Sequence, residues 1–161
     1  MTIKVGDHIP EATLVKATAD GPTTISTADL FGGRTVALFS VPGAFTPTCS
    51  AKHLPGFVTH SAKLAEAGID EVLCLSVNDA FVMAAWAKSA DAVGKVTMIA
   101  DGNADFTKAL GLEMDASKFG MGVRGQRFSL VAKNGVVTHL FVEEPGAFTV
   151  SSAEHMLANL G

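Results

Sequence analysis

The sequence predicts an α/β fold, a three-layer α/β/α sandwich around a mixed sheet. Three observations carry this reading. Apolar runs at 36–41, 72–77 and 96–100 read as strands buried on both faces, and helical patterns separate them. Asn134-Gly135, between strand-like runs at 127–132 and 136–142, is a strong hairpin signal and adds antiparallel strands. Ser151-Ser152-Ala153-Glu154 has the form of a capping box and opens a last helix running to Leu160.

Taken in order, the first thirty-odd residues read as extended segments and turns, with Asp20-Gly21-Pro22 as a turn signal. The run at 36–41 feeds Pro42-Gly43-Ala44-Phe45-Thr46-Pro47-Thr48-Cys49. Pro47 suits the first position of a helix, where its missing N–H would be unpaired anyway. Thr46 is then the N-cap, its hydroxyl expected to accept from the Cys49 amide. The Cys49 thiol falls in the first turn, where free amides and the helix dipole favour negative charge. Apolar residues recur at helical spacing from Cys49 to Glu66, with a kink expected at Pro55-Gly56 and an end at Gly68. Asn78 or Asp79 caps a helix through Ser89. Asp101-Gly102 turns the third strand into a helix that stops at Gly111.

A chain of 161 residues that is 48% hydrophobic and 17% charged has material for one well-buried core, so residues 1–161 are expected to form a single domain. No run reaches the roughly 20 apolar residues of a membrane span, and Met1-Thr2-Ile3-Lys4-Val5-Gly6-Asp7 lacks the apolar region of a signal peptide. A net charge of −4 without a Lys/Arg cluster argues against nucleic acid and anionic membrane as partners. Two cysteines, Cys49 and Cys74, are too few for a disulfide scaffold and fit a reducing, cytoplasmic location.

A free cysteine is most often a small buried hydrophobe. The Thr and Pro residues around Cys49 instead suit a loop-to-helix junction after a strand's C-terminal end, where open α/β sheets place their sites. A disulfide oxidoreductase would carry a second cysteine where Thr46 stands, so Cys49 acts alone. Cys74, inside Val72-Leu73-Cys74-Leu75, reads as a buried structural thiol. The five histidines (His8, His53, His60, His139, His155) show no metal-ligand spacing and read as surface or helix-face residues, although His53 is near enough in sequence to Cys49 to influence a thiolate there. Nothing points to the His base and orienting partner of a cysteine hydrolase.

Pro42-x-x-x-Thr46-x-x-Cys49 resembles the active-site motif of the peroxiredoxins, thiol peroxidases with a thioredoxin-like fold. Residues 39–50, then His53-Leu54-Pro55-Gly56-Phe57, Cys74-Leu75-Ser76-Val77-Asn78-Asp79 and Arg127-Phe128-Ser129, are similar to the peroxiredoxin-5 subfamily over nearly the whole chain. The resemblance implies Cys49 as peroxidatic nucleophile, Thr46 and Arg127 as peroxide-binding groups, and Pro42 as a shield over the thiolate. Arg124 is the alternative arginine, or one that orders Arg127. Hydrogen peroxide and alkyl hydroperoxides are the implied substrates, with no cofactor. The third cysteine by which two-cysteine members resolve their sulfenate aligns with Val150 or Ser151, so it is missing. An external reductant, glutathione with glutaredoxin or thioredoxin, would then recycle Cys49. A peroxide-sensing relay that passes oxidation to a partner protein would use the same residues. Phe45, Phe81, Phe119 and Phe148 flank loops; the resemblance favours a homodimer packed near the site.

Overall fold

The computed structural model describes residues 1–160. Seven strands form one mixed sheet: β1 (Thr13–Thr18), β2 (Gly21–Ser26), β3 (Thr35–Ser40), β4 (Glu71–Ser76), β5 (Thr97–Ala100), β8 (Phe128–Lys133) and β9 (Val136–Val142). Their order across the sheet is β2-β1-β5-β4-β3-β8-β9. The parallel centre β3, β4, β5 is continuously buried because helices cover both of its faces. Antiparallel β1 closes it beyond β5, and the β8–β9 hairpin flanks β3.

The sheet's two faces carry separate cores. Ala37, Phe39, Cys74 and Val131 pack with Leu54, Phe57, Met83, Trp86 and Met156 from α2 (Leu54–Thr59), α4 (Ala80–Ser89) and α6 (Ala153–Leu160). Val36, Leu38, Leu73 and Leu130 pack with Leu30, Phe31, Phe106 and Leu110 from α1 (Thr27–Phe31) and α5 (Asp105–Leu110). Strand alternation alone sends neighbouring residues of β3 to opposite layers.

Local chemistry explains most boundaries. Asp79 caps α4 by accepting from the Val82 amide at 2.9 Å. Asn134 and Gly135 both adopt positive φ, as a two-residue turn that matches strand twist requires. Gly111 and Gly68 stand at or just past the ends of α5 and α3 (Ser61–Glu66), both with positive φ.

Three features depart from the sequence expectations. The last helix is capped one residue later than the Ser151–Glu154 box implies: Ser152 Oγ accepts from the His155 amide at 3.1 Å, while Ser151 is buried in other bonds. The interruption expected at Pro55-Gly56 becomes a π-helical turn, Cys49–His53, with the Leu54 amide bonded to the Cys49 carbonyl. Helical backbone begins at Pro47, and the widened turn precedes Pro55, which lacks the N–H that a regular α-turn would use. The five-residue α1 and the small β6 (Glu113–Asp115) and β7 (Val123–Gly125) ribbon were not expected.

Candidate active site

Cys49 opens the π-turn that follows β3 and is fully buried. Arg127, immediately before β8, donates from Nη2 to Cys49 Sγ at 3.0 Å. The antiparallel β3–β8 register makes this possible, because Ser40 pairs with Phe128 and so brings residue 127 alongside the loop leaving β3. Arg124 has a different task. Its Nη1 donates to the Pro42 carbonyl at 3.1 Å and its Nε to the Met121 carbonyl at 3.0 Å. The arginine facing the sulfur is Arg127, and Arg124 orders the Pro42 loop.

That loop is held from both sides. Asn78 Oδ1, beyond the end of β4, accepts from the Ala44 amide at 3.0 Å. Trp86 of α4 donates from Nε1 to Ser50 Oγ at 3.0 Å. Thr46 stands at the N-cap position before Pro47, but its hydroxyl does not accept from Cys49. It donates to the Gly43 carbonyl at 2.7 Å instead. Its proton is therefore committed, and the lone pairs left on Oγ1 make Thr46 an acceptor.

His53 corrects the expectation of a surface or helix-face histidine, because it is fully buried. Its Nε2 lies 2.9 Å from the Ser151 carbonyl oxygen, which can only accept, so Nε2 carries the proton. Nδ1 is then the lone-pair side, and it accepts from Arg127 Nη1 at 2.9 Å. Burial, followed by the Arg127 charge, holds the imidazole pKa down at about 3, so the ring is neutral. Phe39 and Phe148 flank it, with ring centroids 4.8 and 5.0 Å away. The available signal was the spacing: Cys49 and His53 are four residues apart in one helical segment.

Glu143 is the second residue missed. Its carboxylate accepts from the amides of Thr149, Val150 and Ser151 and from the Ser151 hydroxyl. Burial alone would raise its pKa, but those donors together outweigh it and hold it at about 2.

A cleft of about 420 Å³ lies beside the site, lined by Pro42, Thr48, Met114, Arg127 and the 143–147 loop. Cys49 is fully buried and not part of this lining, and Arg127 joins its sulfur to the cleft. Cys74 lies on β4 opposite Phe39 and Met98, fully buried, and burial pushes its thiol pKa well up, with the Cys49 charge adding to the rise. Phe45, Phe81 and Phe119 are exposed.

A buried sulfur with a guanidinium against it, beside a cleft, is arranged for reaction with a small oxidant. The family model described as Redoxin matches residues 4–157. A chloroplastic peroxiredoxin-2E-2 of Oryza sativa subsp. japonica is 53% identical over 99% of this chain and 73% of its own length. A reduced Prx3 from Vibrio vulnificus, solved in complex with hydrogen peroxide, is 49% identical, with a TM-score of 0.95 over 99% of this chain and all of that one. Peroxiredoxin 5 from Alvinella pompejana is 34% identical, with a TM-score of 0.87 over 98% of this chain and 97% of that one. With its fold and its single buried thiol at the head of a helix, this chain belongs to the peroxiredoxins and is a thiol-dependent peroxidase.

Proposed function

We propose that Cys49 is the peroxidatic nucleophile, that Arg127 and Thr46 bind the peroxide, and that Pro42 shields the thiolate. The 3.0 Å contact between Arg127 Nη2 and Cys49 Sγ carries this reading. The thiolate attacks one peroxide oxygen; an S–O bond forms as the O–O bond breaks. The sulfur becomes a sulfenic acid and the departing oxygen leaves as water or alcohol once protonated. A free thiol of pKa about 8.5 is already a few per cent ionised at neutral pH, so ionisation alone gains at most roughly 30-fold. Further acceleration requires donors that follow negative charge from sulfur to the leaving oxygen. Arg127, adjacent to the sulfur, supplies them. The Thr46 lone pairs are suited to receive the peroxide O–H.

An external thiol then attacks the sulfenic sulfur, releasing water and leaving a mixed disulfide, which a second thiol reduces. The burial of Cys74 and the absence of a third cysteine support this one-cysteine cycle. Glutathione with glutaredoxin, or thioredoxin, would serve as reductant in a cytoplasmic setting. The exposed Phe45, Phe81 and Phe119 support a homodimer. The test is steady-state peroxide consumption with each reductant. Cys49→Ser should show none above the uncatalysed thiol background, and retained turnover would overturn the assignment.

A further inference from the structure

We infer that Glu143 is a positioning residue for the Cys49 reaction, acting through Ser151 and His53 on the Arg127 guanidinium. The inference rests on the reading of Cys49 and Arg127 as the reacting pair.

Glu143 is 6% exposed, and among the described residues no Lys or Arg forms an ion pair with it. Three consecutive amides satisfy it instead: Thr149 at 2.9 Å, Val150 at 2.9 Å and Ser151 at 2.8 Å. The Ser151 hydroxyl adds a donor at 2.7 Å. Bonds to an ionised acceptor are roughly twice as strong as neutral ones, so the carboxylate fixes this stretch of backbone. Residues 148–151 then present two groups to the site. The Ser151 carbonyl accepts from the His53 Nε2–H, and the Phe148 ring lies 5.9 Å from the Arg127 guanidinium carbon.

The first contact sets the tautomer. With Nε2–H held by Ser151, Nδ1 must be the acceptor for Arg127 Nη1. If the carbonyl turned away, nothing would keep the proton on Nε2. A proton on Nδ1 would then face an Arg127 N–H, donor against donor, and drive the guanidinium from the sulfur. A carboxylate with no place in the reaction thus governs where the reacting cation sits.

The experiment uses the reduced full-length protein and stopped-flow reaction with hydrogen peroxide. Glu143→Gln keeps the shape but places an NH₂ among backbone N–H donors. Its second-order rate constant should fall about 10-fold or more, within the ~10²-fold that a 1 Å misplacement can cost. His53→Gln should show a comparable loss, and the double variant should be no slower than the slower single variant. Nitrogen-15 NMR of His53 should report a neutral Nε2–H ring in the wild type and a mixture of tautomers in Glu143→Gln. The exposed Glu66→Gln, on α3 and outside the cleft, should match wild type in both measurements.

A wild-type rate in Glu143→Gln, an unchanged tautomer, or losses that multiply in the double variant would each overturn the inference. If Glu143→Gln does not fold, Thr149→Val with Ser151→Ala removes two hydroxyl donors and is judged by the same criteria. Cys49→Ser keeps the two failures apart. Peroxide turnover there would refute the reacting pair, whereas the His53 tautomer reads the Glu143 contact without any turnover.

Discussion

Beside Cys49 stands a permanent cation, backed in turn by an imidazole that is neutral near pH 7. Arg127 donates to Sγ, and His53 accepts from the other arm of the same guanidinium. Arg127→Gln should therefore slow peroxide attack by more than loss of ionisation allows. Ionisation is limited to roughly 30-fold, whereas a lost donor to developing charge costs a further ~10²–10³. Rates measured across pH separate the two effects: a gap that persists after both thiols are ionised places Arg127 in the transition state, and convergence would refute that role. His53 also makes the fold acid-sensitive. Its folded pKa of about 3 lies below the unfolded value near 6.5, so the unfolded chain takes the proton first. The stability is intact above pH 6.5 and declines as pH falls from there toward 3, costing about 2 kcal/mol by pH 5. Glu143, held at about 2 against its ordinary 4.5, acts with the same sign lower down: its contribution is present above 4.5 and is lost as pH falls through about 2. Urea unfolding at pH 7 and pH 5 should show a smaller pH dependence in His53→Gln than in wild type. Equal dependence would contradict the neutral buried ring.

The site is assembled where elements end. Gly43 shows how tightly, since a Cβ there would lie 2.7 Å from Arg124 Nη1 and 3.2 Å from Thr46 Cγ2. Gly43→Ala should push Arg124 off the Pro42 carbonyl, costing about 1–3 kcal/mol of stability and slowing peroxide reaction. Arg124→Gln loses the same bond, so adding Gly43→Ala to it should slow the reaction little further; stopped-flow rates of the three variants check this, and independent losses would contradict it. The elements differed in how legible they were. The β8–β9 turn and the α4 cap could be read because Asn134-Gly135 and Asp79 satisfy their backbones within three or four residues. The π-turn could not, because it depends on Pro55 together with the packing of Cys49 and His53 against the sheet. The position of Thr46 before Pro47 follows from the sequence, but its hydrogen bond does not, since the choice between Cys49 N and Gly43 O depends on loop shape. The five residues of α1 are too few to show helical periodicity. Ser151 and Ser152 exchanged expected roles because Glu143, eight residues upstream, captures the first hydroxyl.

For the molecule as a whole, the mixed sheet sets the two thiols in different surroundings. Cys49 lies in the π-turn beyond the end of β3, where Arg127 joins it to a cleft, whereas Cys74 lies inside β4 between Phe39 and Met98. Cys74→Ser should retain most peroxidase activity, and its main effect should be on stability, because a hydroxyl would enter a buried apolar strand. Recycling by the same reductant measures this, and loss of recycling would make Cys74 a participant. In the proposed cycle one thiol performs the oxidative chemistry and depends on an external thiol for its return. Mass spectrometry of the reduced protein after one equivalent of hydrogen peroxide, with dimedone present, tests it most directly. The expected product is a single dimedone adduct on Cys49 with Cys74 unmodified; a Cys49–Cys74 disulfide within one chain would overturn the one-cysteine cycle.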